Sequence, residues 1–194
     1  DKGQSLLDND SMERKRGITI YSKQAVFEYG DTAFTLLDTP GHSDFSAEME
    51  RTLQVLDYAL LIVSASDGIR GQTETLWRLL SDYNIPIVVF FNKMDMPGAD
   101  RRKALSGFSS QLAYNAVDFT DYISCITSGE MAGLESFYDQ AAMCSEEAMD
   151  EFLESGTVNF ETITDMIADR KIFPCFFGSA LKMEGIRTLL TALD

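Results

Sequence analysis

Two stretches limit the fold more than anything else in the chain: residues 58–65 (YALLIVSA) and 85–91 (IPIVVFF). Both are of strand length, and both are apolar with almost no polar alternation. Between them Leu76, Leu79, Leu80 and Tyr83 recur at helical spacing. Apolar strands joined through a helix are the pattern of a parallel sheet covered on both faces, as in α/β domains. A third apolar stretch, residues 174–177, is followed by a last helical stripe of Ile186, Leu189, Leu190 and Leu193, which repeats the pattern. The expected fold is therefore α/β, a mostly parallel sheet with helices on both faces.

Upstream the pattern changes. Residues 1–16 are polar and charged, with Asn9-Asp10-Ser11 as turn chemistry, and they read as a loop. Residues 18–29 are rich in strand formers, Gly30-Asp31 is hairpin chemistry and residues 32–37 form the return, so this pair should be antiparallel. Phe45, Met49, Leu53 and Leu56 then predict a helix, with Ser43 and Asp44 at its start. Residues 97–171 follow the period less clearly. Helices are expected over 101–112, 145–154 and 160–169, and short strands over 116–119 and 122–126. Because a simple strand-helix-strand crossover needs only about 30 residues, 97–171 reads as an α+β insertion before the last core strand. The division expected is one partial domain over 1–194, with its core in 1–96 and 172–194.

The 45% apolar fraction supplies a core, whereas the net charge of −15 and pI near 4.3 argue against direct DNA binding or attachment to an anionic membrane. No apolar run approaches the roughly 18 residues that span a bilayer. Cys125, Cys144 and Cys175 are odd in number and far apart, so reduced thiols and a cytoplasmic setting are expected rather than a disulfide framework.

Three loops follow predicted strands at their carboxyl ends, where open α/β sheets place ligands. They hold Asp38-Thr39-Pro40-Gly41-His42, Asn92-Lys93-Met94-Asp95 and Gly178-Ser179-Ala180-Leu181, and all three should converge on one crevice. Asp38 can hold a metal, and Gly41 lets backbone approach a phosphate without a side chain in the way. An ionised carboxylate only accepts, so Asp95 suits the adjacent N1–H and 2-amino donors of guanine, a pair that adenine lacks. The stem of Lys93 can lie along a base plane, and a backbone N–H after Ser179 can reach the base carbonyl. His42, the only histidine, would by itself read as an ordinary polar surface residue. Ser64, Ser66 and Asp67, which also follow a core strand, are assigned to structure, and the acidic run 146–154 to a solvated helix face.

With Arg16-Gly17-Ile18-Thr19-Ile20 added, these motifs together resemble the nucleotide-binding domain of the translational GTPases, elongation factor G and the tetracycline-resistance ribosomal protection proteins among them. The resemblance covers essentially the whole chain, in order. The apparently shorter 97–171 segment and residues 63–69 with Gln72-Thr73 lean towards the protection proteins. The resemblance implies a P-loop NTPase-like fold, GTP and GDP as ligands, Mg2+ as cofactor and the ribosome as partner. It assigns Thr19 and Asp38 to the magnesium shell, Gly41 to sensing the γ-phosphate and His42 to orienting the attacking water. Asn92, Lys93, Asp95, Ser179, Ala180 and Leu181 are assigned to the nucleotide base.

One departure stands out. The sequence holds no G-x-x-x-x-G-K-[ST], the loop that cradles phosphates. In the resembled family that loop lies upstream, so the chain reads as a fragment that begins inside the switch-one region and binds nucleotide weakly by itself. The competing class is a non-catalytic ribosome- or protein-binding module that keeps the fold. A regulatory GTPase outside translation is a third class, disfavoured by His42 and by the long insertion.

Overall fold

A computed structural model describes residues 23–39, 46–129 and 133–194, with backbone alone for 46–48. Thr19, Gly41 and His42 lie outside the described residues. The chain divides into two compact units, residues 1–56 with Asp194, and 57–193.

In the first unit, β1 (Lys23–Tyr29) and β2 (Thr32–Asp38) form the expected antiparallel hairpin, in a register from Lys23 opposite Asp38 to Tyr29 opposite Thr32. Gly30 sits at φ +58 in the turn, a left-handed conformation that costs glycine little. Phe27 and Phe34, directly opposite each other, stack with ring centroids 5.2 Å apart. Helix α1 (Ser46–Leu53) buries Met49 and Leu53, two members of its predicted stripe.

The second unit is built on four parallel strands in the order β3-β4-β6-β5: β3 (Ala59–Ser64), β4 (Ile87–Asn92), β5 (Ala116–Asp118) and β6 (Phe173–Phe177). The 97–171 segment thus contributes a strand of its own, β5, to the edge of this sheet. Side chains alternate across a strand, and the two faces carry different helices. On one face Phe91 meets Phe108 of α3 (Arg101–Gln111) at 5.7 Å and Phe177 at 4.9 Å. Trp77 of α2 (Gly71–Asp82) packs there against Phe108 and Phe173. On the other face Val88, Phe90 and Phe176 share a buried cluster with residues of α4 (Thr120–Ser128), α5 (Glu135–Ala142), α7 (Phe160–Ala168) and α8 (Ile186–Leu193). All of Ile87–Phe91 and Phe173–Phe177 are buried, as the apolar runs require.

Three expectations are corrected. Residues 58–65 are not covered on both faces: Leu60 and Ile62 are 38% and 59% exposed, and β3, the end strand of this sheet among the described residues, alternates like a half-covered one. Residues 122–126 are helical, not a strand. They lie within α4, where Tyr122 stacks on Phe137 at 4.1 Å, and packing overrides β-favouring composition. Helix α5 was not anticipated, although Leu134, Phe137, Tyr138 and Ala141 have helical spacing and all are buried.

Capping fixes the helix ends. Asp100 accepts from Lys103 N at 2.8 Å to start α3, and Ser145 accepts from Ala148 N at 3.3 Å to start α6 (Glu146–Ser155). The Glu151 carboxylate reaches from α6 to the start of α7, accepting from Thr162 Oγ1 at 2.7 Å and Asn159 N at 2.8 Å. At the C-terminal end of α2 Arg170 donates to the carbonyls of Leu80 and Ile85 and to Ser81 Oγ. Its guanidinium lies over Trp77 and Phe173, 5.8 and 5.3 Å from the ring centres. Among the described residues no helix is long and apolar enough to cross a membrane.

Candidate functional site

At the carboxyl ends of β3, β4 and β6 the backbone ties three loops together. Ala65 N donates to Asn92 O at 2.9 Å, Gly178 N to Phe91 O at 3.0 Å and Met94 N to Gly178 O at 3.0 Å. Of the loops read from the sequence, 92–95 and 178–181 therefore do meet. Asp38 ends β2 in the other compact unit.

Asn92 is the strut between the two. Its Oδ1 accepts from Lys93 N at 2.8 Å and from Ala180 N at 2.9 Å. Two N–H donors on one oxygen settle which end of the amide is which, so Nδ2 is the end left to donate to a ligand. The Ala180 N–H, expected to reach a base carbonyl, is thus engaged by Asn92, and a base must share that donor. Lys93 adopts φ +64 and is exposed.

The second loop is a tight hairpin. Ser179 and Glu184 exchange backbone hydrogen bonds of 3.0 Å in both directions, and Lys182 N donates to Ser179 O at 3.1 Å. Two glycines make it possible. A Cβ on Gly178 would lie 2.1 Å from the Glu184 carbonyl oxygen, and one on Gly185 would lie 2.2 Å from the Phe177 carbonyl oxygen. Ser179 is buried, and its hydroxyl accepts from Lys182 N at 3.3 Å. Ala180 is exposed, and Leu181 at the hairpin tip is 76% exposed.

Asp95 is therefore held from one side and open on the other, its side chain 13% exposed. Its carboxyl lies below the usual carboxylate range, first through the neighbouring Ser179 hydroxyl; burial opposes this, and Lys182, with Nζ 4.0 Å from Oδ2, assists. The result is an ionised, oriented acceptor pair beside an amide donor, suited to a planar ligand that offers two adjacent donors and an acceptor.

Sequence reading missed the third loop's place in this group. Ser64 stands opposite Asn92 in the parallel register, and Asp67 follows in a turn closed by Gly68 N to Ser64 O at 3.0 Å. The signal available was position: residues 65–70 also follow a core strand at its carboxyl end. Asp38 offers a single carboxylate, and no group of three or more His, Cys, Asp or Glu side chains among the described residues could hold a metal by itself. That donor set suits Mg2+, which keeps several waters and takes one or two carboxylates plus substrate phosphates. A separate concavity of about 670 Å3, lined by Arg101, Arg102, Asp118, Asp121, Ser136 and Gln140 among others, contains none of the expected site residues.

Residues 1–194 match a family model described as the elongation factor Tu GTP binding domain. The chain is 32% identical to elongation factor G of Mycoplasma genitalium over 229 residues, covering 98% of this chain and 33% of that protein. It is 32% identical to tetracycline resistance protein TetW of Butyrivibrio fibrisolvens over 200 residues, covering 100% and 31%. A crystal structure from Thermus thermophilus superposes with a TM-score of 0.78 at 19% identity, over 98% of this chain and 34% of that one, and shows the shared fold. The chain spans about a third of the length of the curated relatives it matches.

Proposed function

The chain belongs to the elongation factor Tu GTP-binding domain family, and from that premise we propose that the protein carrying it is a ribosome-associated GTPase of translation. The observation that supports this most directly is the joined pair of loops. Asn92 bonded to Ala180 N, with the Asp95 carboxylate kept ionised beside Ser179, forms one preorganised reader for a base that carries N1–H, a 2-amino group and a 6-carbonyl. That base is guanine.

Roles follow from this. Asp95 accepts both donor groups of the base, Asn92 Nδ2 donates to it, the Ala180 N–H faces its carbonyl and the stem of Lys93 lies along its plane. Ser179 keeps Asp95 ionised, and Leu181 borders the base. Thr19 and Asp38 would hold Mg2+, which would neutralise phosphate charge. Gly41 senses the γ-phosphate through its backbone N–H. His42 orients the water that attacks it, and positioning of this kind supplies most of the rate in phosphoryl transfer. Action on the ribosome gives the protein a cytoplasmic setting, with neither DNA nor a membrane as partner.

Within the family the reading leans towards the ribosomal protection type. Identity to TetW and to elongation factor G is the same, but the elongation factor G alignment needs 229 residues where TetW needs 200 for nearly the same coverage of this chain. Elongation factor G therefore carries residues that this chain lacks.

The test is calorimetric binding of GDP and XDP, with Mg2+, by the full-length protein and its Asp95→Asn variant. The reading expects the wild type to prefer GDP and the variant to shift towards XDP, whose 2-oxo group requires a donor. Equal preferences in the two proteins would remove Asp95 as the base reader.

A further inference from the structure

Lys182 sits on the 179–184 hairpin, and its two ends are held differently. Its backbone N–H is fastened to Ser179, 3.1 Å from the carbonyl oxygen and 3.3 Å from Oγ, inside a turn that Ser179 and Glu184 close. Its ammonium reaches across to the other loop and stands 4.0 Å from Asp95 Oδ2, with the lysine side chain 54% exposed. Among the described residues neither group makes another ion pair within 4 Å. The separation matters. An ammonium hydrogen-bonded to a carboxylate stands at about 2.7–2.9 Å and occupies a lone pair. At 4.0 Å the positive charge is present while both Asp95 oxygens stay free to accept.

We propose that Lys182 is a positioning residue of the base site that acts through Asp95, remaining beside the carboxylate as its counter-charge when a neutral base covers it. This rests on the guanine-nucleotide reading above. Guanine brings two donors but no positive charge, so covering Asp95 removes water from an anion and puts no cation in its place. A carboxylate buried without a cation is costly, and an ammonium that stays alongside offsets part of that cost. Lys182 is built to stay. Its root is fixed on the hairpin that carries Ala180, whose N–H bonds Asn92 Oδ1 at 2.9 Å, so the two loops hold their spacing. Its exposed side chain lets the ammonium keep water on one side while it faces Oδ2 on the other. The depression of the Asp95 carboxyl, first through Ser179 and last through the Lys182 charge, runs in the same direction.

The experiment measures the Kd of GDP against pH, by calorimetry with Mg2+, for the full-length protein and its Lys182→Met and Lys182→Arg variants. The thermal midpoint of each is taken alongside, without nucleotide. Methionine keeps the apolar stem and removes the charge. It is expected to weaken GDP binding about two- to fivefold, the scale of an ion pair open to solvent on one side. The acid limb of the affinity should move upward, because Asp95 without its counter-charge takes up a proton sooner. The nucleotide-free midpoint should not change, and Lys182→Arg should bind GDP as the wild type does. Tighter binding by Lys182→Met would mean that the ammonium competes with the base, and an unchanged Kd would mean that it does nothing there. A weaker Kd with a lowered midpoint and an unmoved acid limb would make Lys182 part of the hairpin's structure alone. Each of these three results overturns the proposal. A wild-type protein that binds no guanine nucleotide would overturn the functional reading and this inference with it.

Discussion

Replacing Arg170 by methionine tests how the 97–171 segment is fastened to the sheet. Methionine keeps the stem's apolar contacts and removes the guanidinium, which donates to the carbonyls of Leu80 and Ile85 and to Ser81 Oγ. The Leu80 carbonyl keeps a partner, since Ile85 N also donates to it at 3.0 Å. The Ile85 carbonyl, on a residue only 4% exposed, loses the Arg170 bond. Losing that bond costs about 1–3 kcal/mol, and losing the cation over Trp77 and Phe173 adds about 0.5–1 kcal/mol. A total of about 3 kcal/mol follows, or roughly 6–12 °C in Tm for a domain of this size. Trp77, the only tryptophan in the chain, lies beneath the guanidinium, so its emission during urea unfolding reads the event directly. Arg170→Lys should recover less than half of the loss, because an ammonium neither forks across the acceptors nor stacks as a guanidinium does. A methionine variant within about 0.5 kcal/mol of wild type, or full recovery with lysine, would refute the reasoning.

Other expectations concern the site. His42→Ala in the full-length protein should leave GTP binding near wild type and slow ribosome-stimulated hydrolysis by about 100-fold or more; an unchanged single-turnover rate removes His42 from the mechanism. Gly178→Ala forces a Cβ to within 2.1 Å of the Glu184 carbonyl oxygen and 2.9 Å of Phe90 Cζ. It should cost about 1–3 kcal/mol of stability along with GDP affinity, and a fully active, equally stable variant would contradict the packing described. Because the folded-state pKa of Asp95 is depressed, first by Ser179, its ionised form persists below the ordinary carboxylate range and is lost only as pH falls through the depressed value. The Asp95 contribution to GDP affinity should therefore persist to lower pH than that of an ordinary carboxylate. Ser179→Ala should move the acid limb upward, and titration of Kd against pH for the two proteins decides it.

Legibility in the sequence followed the range of the interactions involved. Strands β4 and β6 could be read because five successive buried residues leave no alternative. The hairpin β1–β2 could be read because Gly30-Asp31 is local turn chemistry. Helix α4 was misread because Tyr122, Ile123 and Ile126 favour strands, whereas packing of Tyr122 against Phe137 and Tyr138 of another helix decides the matter. Leu60 and Ile62 looked like core residues because a run of apolar residues does not reveal which of its faces other elements cover. In the site Asn92, Asp95 and Ser179 were legible as motifs. Their division of labour was not: that Asn92 commits its oxygen to Ala180 N depends on where residue 180 comes to rest.

The strand order has a kinetic consequence. The centre of the sheet joins β4, which ends at Asn92, to β6, which begins at Phe173, so pairing them closes a loop of about eighty residues. The entropy of such closure must be met before the contacts it makes can offset it. The bond from Ala180 N to Asn92 Oδ1 lies on the far side of that closure, whereas the β3–β4 ladder and the helices of 101–168 can form earlier from nearer neighbours. The chain should thus acquire most of its helix content well before it can recognise a base, and a ligand that binds only the closed state draws the last step forward by mass action.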